Sequence, residues 1–182
     1  MRKNIPKILY DDLFFYPVTS QNIKLGWLDW MNDKRVVEFL SAESKSYSER
    51  DLKEYLEHHD SLVFLGCYCA ATNIYFGNLR IYKISSQLLS FGRLIGNPSF
   101  RGCGYGKKLT EVAIDLCFNW FGGDRILVGN NKKNIASALS KVRAGFSKAS
   151  TPQMIEWGFE PKAEEEYFYL DRDKFVQAGI NE

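Results

Sequence analysis

The chain has 182 residues, of which 45% are hydrophobic and 25% charged, and its formal net charge is +2. This composition is typical of a globular domain with one sizeable core, and so small a net charge gives no reason to expect a nucleic acid or a membrane as partner. No apolar run approaches the roughly 20 residues of a membrane-spanning helix, and no long apolar segment follows the basic start as in a secretory signal. We therefore expect one cytoplasmic domain over residues 1–182, with its core from about residue 8 to 172.

The first third of the chain predicts one strand followed by helices. An aromatic-rich run favours the strand, polar helix-start residues precede a run with apolar residues at helical spacing, and Ser48-x-x-Asp51 resembles a capping box. In order, the elements are a strand at 13–18, a helix from about 20 to 32, a short helix at 36–40, a polar loop at 41–47 and a helix from 49 to about 59.

Three strands are predicted in the middle of the chain, at 62–70, 74–84 and 88–97. Because their connections are short, they are expected to form an antiparallel meander. Gly77-Asn78 lies inside the second strand and predicts a bend or bulge there.

A glycine-rich loop follows the third strand, with the sequence Arg101-Gly102-Cys103-Gly104-Tyr105-Gly106-Lys107-Lys108. Residues 109–121 then form one continuous apolar stripe at helical spacing, and a strand at 124–129 completes a strand–helix–strand unit, which predicts a parallel pair with a crossover helix. A strand, a glycine loop and a helix together suit a phosphate, because glycines allow close approach and the first N–H groups of the helix point at the anion.

The last part of the chain predicts one helix and two further strands. The helix opens at Asn134 and closes at Gly145-Phe146, where the glycine suits a left-handed cap. Its predicted inward residues are Ile135, Ala138, Leu139 and Val142. Residues 147–151 predict a polar loop, 154–159 a weak strand and 165–171 the final strand.

A metal site is not expected, because the possible ligands are few and poorly spaced. His58 and His59 are adjacent, whereas structural zinc needs four ligands that converge from separated positions. We expect the cysteines to be reduced and structural. They are Cys67, Cys69, Cys103 and Cys117.

The spacing of the glycine loop excludes two common nucleotide-binding motifs. A dinucleotide site needs G-x-G-x-x-G and an acid after the second strand, whereas this loop reads G-x-G-x-G and Asp124 precedes that strand. A P-loop needs serine or threonine after its lysine, and here Lys108 follows Lys107.

Two patterns resemble the signatures of the GCN5-related N-acetyltransferases, the GNAT family. Arg101-x-x-Gly104-x-Gly106 resembles R/Q-x-x-G-x-G/A, and the segment from Asn134 to Phe146 resembles the second signature, N-x-x-(S/A)-x-x-x-(Y/F)-x-K-x-G-F. The order of elements is also similar over about residues 8 to 172. Further similarity to the Rim-type branch, which includes ribosomal-protein N-terminal alanine acetyltransferases, comes from Trp30-Met31-Asn32-Asp33-x-x-Val36, Gly77-Asn78 and Ile95-Gly96-Asn97.

The resemblance implies an α+β, three-layer fold, in which a central mixed and mostly antiparallel sheet has helices on both faces. It also implies an acyltransferase that moves the acetyl group of acetyl-CoA directly to a primary amine. The acceptor would be a small molecule, such as an amino sugar linked to a nucleotide, or a protein N-terminus, and the enzyme a monomer or homodimer. The residues implied for CoA are Leu94, Ile95, Gly96, Arg101, Gly102, Cys103, Gly104, Tyr105, Gly106, Lys107, Asn134, Ser137 and Lys141.

The catalytic groups stay unassigned at this point. Many members of the family have a tyrosine, seven residues after the asparagine, that protonates the leaving thiolate; here that position is Lys141, so protonation by water stays open. Lys141 and Ser137 are the candidates for a catalytic role, and Arg93 is a candidate for binding a carboxylate or phosphate of the acceptor. A non-catalytic CoA-binding module of the same fold is the alternative. More distant candidates for a base are Asp29, Asp33, His58, His59 and Glu166.

Overall fold

A computed structural model describes residues 7–38 and 46–179, with side chains described as far as residue 175. Most of the loop predicted at 41–47, and the end of the helix predicted at 36–40, lie outside these residues. The chain divides into two compact units, residues 1–80 with 93–105 and residues 81–92 with 106–182. Whether the chain acts as a single domain stays a prediction.

The described part of the first unit contains five strands or parts of strands and four short helices. The strands are β1 (Ile8–Tyr10), β2 (Leu13–Pro17), β3 (Val63–Cys69), β4 (Tyr75–Lys83) and β5 (Leu88–Ile95), of which β4 and β5 continue into the second unit. The helices are α1 (Ser20–Asn22), joined through a π-helical turn (Ile23–Trp27) to α2 (Leu28–Asn32), then α3 (Lys34–Val37) and α4 (Glu49–His58). A 3₁₀ turn (Pro98–Phe100) follows β5.

The second unit contains the remaining elements. They are α5 (Tyr105–Asp115), which continues as a π-helical turn (Leu116–Trp120), β6 (Arg125–Asn131), α6 (Ile135–Arg143), β7 (Ser147–Lys148), α7 (Thr151–Glu156), β8 (Glu165–Asp171) and α8 (Arg172–Gly179). No helix among the described residues is both long and apolar enough to cross a membrane.

The eight strands form a mixed sheet in the order β1-β2-β3-β4-β5-β6-β8-β7. The pairs β1/β2, β2/β3, β6/β8 and β7/β8 are antiparallel. Strands β5 and β6 are parallel, with Leu88 opposite Arg125, because α5 forms the crossover between them. The predicted α+β class, the mixed sheet and the parallel pair are therefore confirmed.

Local sequence signals explain where several helices begin. The Thr19 side chain caps α1, and Ser48 and Asp51 cap α4 reciprocally, as the capping-box pattern predicts. Along α5 and the π-helical turn after it, five residues of the predicted stripe are no more than 2% exposed, namely Leu109, Val112, Ala113, Leu116 and Cys117. The last two residues of the predicted stripe are not buried: Trp120 is 42% exposed and Phe121 is partly exposed. The core of the first unit contains Trp27 and Trp30.

Strand β4 is irregular at Gly77, where a bend or bulge is predicted. The Tyr75 hydroxyl donates to Asn78 Oδ1 at 2.6 Å, although residues three apart in a regular strand point to opposite faces. A Cβ on Gly77 would lie 2.2 Å from the Leu94 carbonyl oxygen. Glycine is therefore required because the main chain of β5 passes too close for any side chain.

Two predictions for the last part of the chain are wrong. Residues 154–159 are not a strand: α7 occupies 151–156, because Ser150 and Gln153 form a capping box and proline is tolerated in the first helical turn. Ser147 and Lys148, at the start of the predicted loop 147–151, form strand β7. Strand β1 and helix α8 were not predicted.

The predicted inward face of α6 is also wrong. Ile135, Leu139 and Val142 are 68%, 49% and 54% exposed, whereas Lys141 is only 4% exposed. The face that α6 buries is therefore polar, and the apolar residues at helical spacing lie on the surface.

Candidate functional site

The glycine loop between β5 and α5 has an open, left-handed backbone. Gly102 and Gly104 have φ angles of 75° and 86°, which residues with a side chain rarely adopt. A Cβ at either position would meet no atom within 4 Å, and both residues are exposed. The glycines therefore serve the backbone conformation and leave the main chain accessible, at the point where the first turn of α5 presents N–H groups without partners inside the helix.

Aromatic rings anchor the loop to β4. The Tyr105 ring lies 5.1 Å from Phe76 and 5.2 Å from Phe100, and the rings of Phe76 and Phe100 stack at 4.7 Å. Such pairs each stabilise by about 0.5–1.5 kcal/mol beyond their buried area. These ring contacts fix the position of Tyr105, the first residue of α5.

Arg101 ties the loop back to the end of β5. Its Nε donates to the Ile95 carbonyl at 3.1 Å and its Nη2 to the Gly96 carbonyl at 2.8 Å. The planar guanidinium suits this two-point contact. Arg101 was predicted to bind the ligand. In the structure its guanidinium bonds two main-chain carbonyls and so fixes the shape of the loop.

The end of β5 is closely packed against β4 and α2. The Gly96 and Asn97 N–H groups both donate to the Phe76 carbonyl, at 3.0 and 3.1 Å, as at a β-bulge. A Cβ on Gly96 would lie 1.9 Å from the Trp30 ring, and that ring pairs with Tyr75 at 4.7 Å. The predicted pantetheine segment, Leu94 to Gly96, is therefore held by backbone contacts and by one tryptophan.

Cys103 and Lys107 are surface residues of the loop and of the first turn of α5. The Cys103 thiol is exposed and lies 3.5 Å from the Arg101 carbonyl oxygen. Lys107 forms an exposed ion pair with Glu111 at 3.4 Å, and the Gly106 carbonyl accepts from Thr110 Oγ1 at 2.9 Å. An exposed pair of this kind contributes little to stability, so Lys107 can exchange it for an anion at small cost.

The second unit brings three predicted residues together on the buried face of α6. Asn134 caps the helix by accepting from the Ser137 N–H at 3.0 Å. Lys141 Nζ donates to Ser137 Oγ and to Asn130 Oδ1, each at 2.8 Å. Asn134, Ser137 and Lys141 thus form one polar row, with Asn130 of β6 beside it.

Asn130 is the residue that sequence reasoning missed. Its Nδ2 lies within hydrogen-bond distance of the Asn131 and Asn134 carbonyls, at 2.9 and 3.2 Å, and of Glu166 Oε1 at 3.2 Å. Glu166 Oε2 accepts from Lys148 at 3.0 Å. Strand β6 was predicted to end at Gly129, one residue before Asn130. The only sign of Asn130 in the sequence was that a polar residue directly follows a buried run.

Asp33, His58 and His59, three of the distant candidates for a base, have structural partners. The bidentate contact with Arg35 lowers the pKa of Asp33, whose side chain also caps α3. His58 Nδ1 lies 2.9 Å from the Glu54 carbonyl oxygen, and His59 Nδ1 accepts from the Ser61 N–H at 3.2 Å. These groups therefore serve local structure.

Arg93 is half-buried on β5. Burial lowers the pKa of its guanidinium to about 10, because a low dielectric disfavours the charged form. At neutral pH Arg93 is still a cation, and it is therefore able to bind an anion.

Metal ligands do not gather in the part of the chain that the structure describes. No group of three or more histidine, cysteine, aspartate or glutamate residues there could hold a metal ion. Four cysteines are free, and Cys103 is the exposed one.

Comparison with known proteins identifies the fold and the family. Residues 12–147 match the profile of the acetyltransferase (GNAT) domain. The chain belongs to the GNAT acetyltransferase family. The Rim-type branch within the family stays a prediction, and no curated protein matches the chain.

Solved GNAT structures share the fold at low sequence identity. A GNAT-family acetyltransferase from Bacillus anthracis has a TM-score of 0.74 and 13% identity, over 92% of this chain and 99% of that one. The aminoglycoside acetyltransferase AAC(6')-Ib, in complex with coenzyme A and kanamycin, has a TM-score of 0.74 and 16% identity over the same shares. The spermidine N-acetyltransferase from Vibrio cholerae, in complex with CoA and spermine, likewise has a TM-score of 0.74 and 16% identity, over 92% and 99%.

Proposed function

We propose that the protein is an acetyl-CoA-dependent N-acetyltransferase that transfers the acetyl group directly to a primary amine. The observation that carries the proposal is the open loop with left-handed Gly102 and Gly104 at the start of α5, in a chain of the GNAT family. Successive main-chain N–H groups in such a loop form a concave anion site. This is the feature that a pyrophosphate group requires.

In this proposal the main chain supplies most of the binding groups. The N–H groups from Gly102 to Lys107 hold the pyrophosphate, and Leu94 to Gly96 pair with the pantetheine amides in the manner of an added strand. Arg101 keeps the two segments in register, because it bonds the carbonyls of Ile95 and Gly96. Asn134, Ser137 and Lys141 supply the side-chain contacts, as the family resemblance implies.

The chemistry is the attack of a neutral amine on the thioester carbon. The new C–N bond forms as the C–S bond breaks, the electron pair of that bond stays on sulfur, and the amine gives its proton to water. The protein holds the reacting groups close together. Lys141 offers an ammonium group that can donate a hydrogen bond to the sulfur as negative charge develops there.

We propose an acceptor that carries a carboxylate or phosphate, such as an amino sugar linked to a nucleotide, with a protein N-terminus as the other candidate. Strands β2 to β5 contain no aspartate or glutamate, whereas they carry Arg80, Lys83 and Arg93. Polycations such as spermine or kanamycin need carboxylates for their charges. This charge distribution therefore favours an anionic acceptor.

Amine-dependent release of free thiol from acetyl-CoA tests the proposal. The panel contains an amino-sugar phosphate, a nucleotide-linked amino sugar, a peptide with a free N-terminus, and spermine. We expect turnover with an anionic amine and little with spermine, and Arg93→Met should raise the KM of that acceptor without changing the KM of acetyl-CoA. Fastest turnover with spermine would contradict the proposed acceptor class.

A non-catalytic CoA-binding module is the second candidate. One observation favours it: the carboxylates of Asp33 and Glu166 are held by Arg35 and Lys148 and are therefore poorly placed to act as a base. Tight CoA binding without thiol release on any amine of the panel would support the module over the enzyme.

A further inference from the structure

The environment of Lys141 is unusual for a lysine. Its side chain is 4% exposed, and the ammonium lies 5.8 Å from the centre of the Phe168 ring. A buried ammonium is costly unless charge and hydrogen bonds compensate it. The two acceptors described above, Asn130 Oδ1 and Ser137 Oγ, are both neutral.

The chemistry of its neighbours determines the orientation of the Asn130 amide. Its Nδ2 faces three oxygens, the carbonyls of Asn131 and Asn134 and the carboxylate of Glu166. Its Oδ1 faces the ammonium of Lys141. Exchanging the oxygen and the nitrogen would place donor against donor and acceptor against acceptor at all four contacts. The oxygen of Asn130 is therefore committed to Lys141.

The same amide links the ammonium to a carboxylate. The dipole of the Asn130 side chain points its negative end at Lys141 and its positive end at Glu166, so the anion polarises the amide in the direction that favours the cation. Asn130 also bonds the carbonyl of Asn134, the residue that caps α6. One side chain thus connects the helix start, the carboxylate and the ammonium.

We infer that Asn130 is a positioning residue for acetyl transfer, which acts by holding the ammonium of Lys141 in place with Glu166 as its counter-charge. This inference rests on the proposed function, because it concerns the step in which the C–S bond breaks. At that step the electron pair moves onto sulfur, and Lys141 donates a hydrogen bond to it. Asn130 itself touches no reacting atom.

A double-mutant cycle on kcat tests this role. The variants are Asn130→Ala, Lys141→Met and the two combined; methionine keeps the length of the lysine side chain and removes its charge. Asn130→Ala and Lys141→Met should each lower kcat about 10- to 100-fold, as expected for a lost hydrogen bond to a charged group. The combined variant should be no slower than Lys141→Met, because Asn130 acts only through Lys141.

Two further variants separate positioning from folding. Asn131→Ala, next to Asn130 on the same strand, should leave kcat within about twofold. Asn130→Asp has the same shape and keeps an oxygen toward Lys141, but its second oxygen faces the carboxylate of Glu166, so kcat should fall. Adding Glu166→Gln places an amide donor opposite that oxygen and should recover part of kcat. The dissociation constant of acetyl-CoA, measured by calorimetry, should change little in Asn130→Ala and in Asn131→Ala, because neither side chain is among the groups proposed to contact CoA.

The outcomes are distinguishable. Two outcomes would overturn the positioning role and leave the proposed function intact. The first is that the losses of kcat multiply in the combined variant. The second is that Asn130→Ala lowers the melting temperature but leaves kcat unchanged. A wild-type protein that binds CoA and releases no thiol with any amine of the panel would overturn the proposed function, and the positioning role with it.

Discussion

Gly104→Glu, compared with Gly158→Glu, tests the loop most sharply. Gly104 and Gly158 have φ angles of 86° and 72°, and a Cβ at either would meet no atom within 4 Å. Any side chain there strains the backbone by about 1–2 kcal/mol without a clash. Because both sites are exposed, the two substitutions should reduce stability equally.

The expected losses follow from these geometries. For a chain of this length about 1 kcal/mol lowers the melting temperature by roughly 2–4 °C, so each variant should melt about 2–8 °C below the wild type. In Gly104→Glu the new carboxylate also occupies the space proposed for the pyrophosphate. Loss of a single charge-assisted hydrogen bond, about 1.5–3 kcal/mol, weakens CoA binding by roughly 10- to 150-fold, and like-charge repulsion adds to this loss.

Calorimetric titration with CoA and thermal melting of both variants provide the assay. We expect similar melting temperatures, near wild-type CoA affinity in Gly158→Glu, and at least about tenfold weaker binding in Gly104→Glu. Equal CoA affinity in the two folded variants would refute the assignment of the loop.

Three further perturbations test other parts of the account. Gly96→Ala should lower the free energy of unfolding, measured by urea titration, by about 1–3 kcal/mol, because its Cβ would meet the Trp30 ring at 1.9 Å. The loss should be smaller in a Trp30→Leu background. An equal loss in both backgrounds would contradict the close packing. Arg101→Lys keeps the charge but not the two-point contact, so the KM of acetyl-CoA should rise several-fold, and an unchanged KM would show that the contact is dispensable. Burial raises the pKa of Tyr167 from 10.0 to about 12; the unfolded chain therefore loses this proton first, and stability should fall as pH rises from about 10 to 12. Urea titrations across that pH range should show a shallower fall in Tyr167→Phe, and an identical slope in that variant would exclude the contribution of this phenol.

Sequence periodicity predicted the elements that have strong local signals. The stripe from Leu109 to Cys117 faces the core because apolar residues at helical spacing must be buried together. The irregularity of β4 at Gly77 lies where the bend or bulge was predicted, and the close approach of the Leu94 carbonyl explains why this residue has no side chain. Strand β8, at residues 165–171, has the predicted bounds.

Periodicity failed where a polar side chain belongs in the interior. In α6 it placed Ile135 and Leu139 inside, whereas Lys141 is the buried residue. Lysine is almost never buried unless it is paired. One acceptor of Lys141, Ser137, lies on the same helix, but the other, Asn130, lies on a different element, so the local sequence shows only part of the pairing. The role of Arg101 was likewise hidden, because its acceptors are backbone carbonyls.

Transfer of a labelled acetyl group from acetyl-CoA to an amine, followed by mass spectrometry of the acceptor, tests the central claim most directly. We predict that the wild type labels the amine of the panel that supports thiol release, and that Gly104→Glu labels it much more slowly at the same acetyl-CoA concentration. The contradicting result is that the wild type binds CoA but leaves acetyl-CoA intact with every amine of the panel. This result would show that the chain is not an N-acetyltransferase.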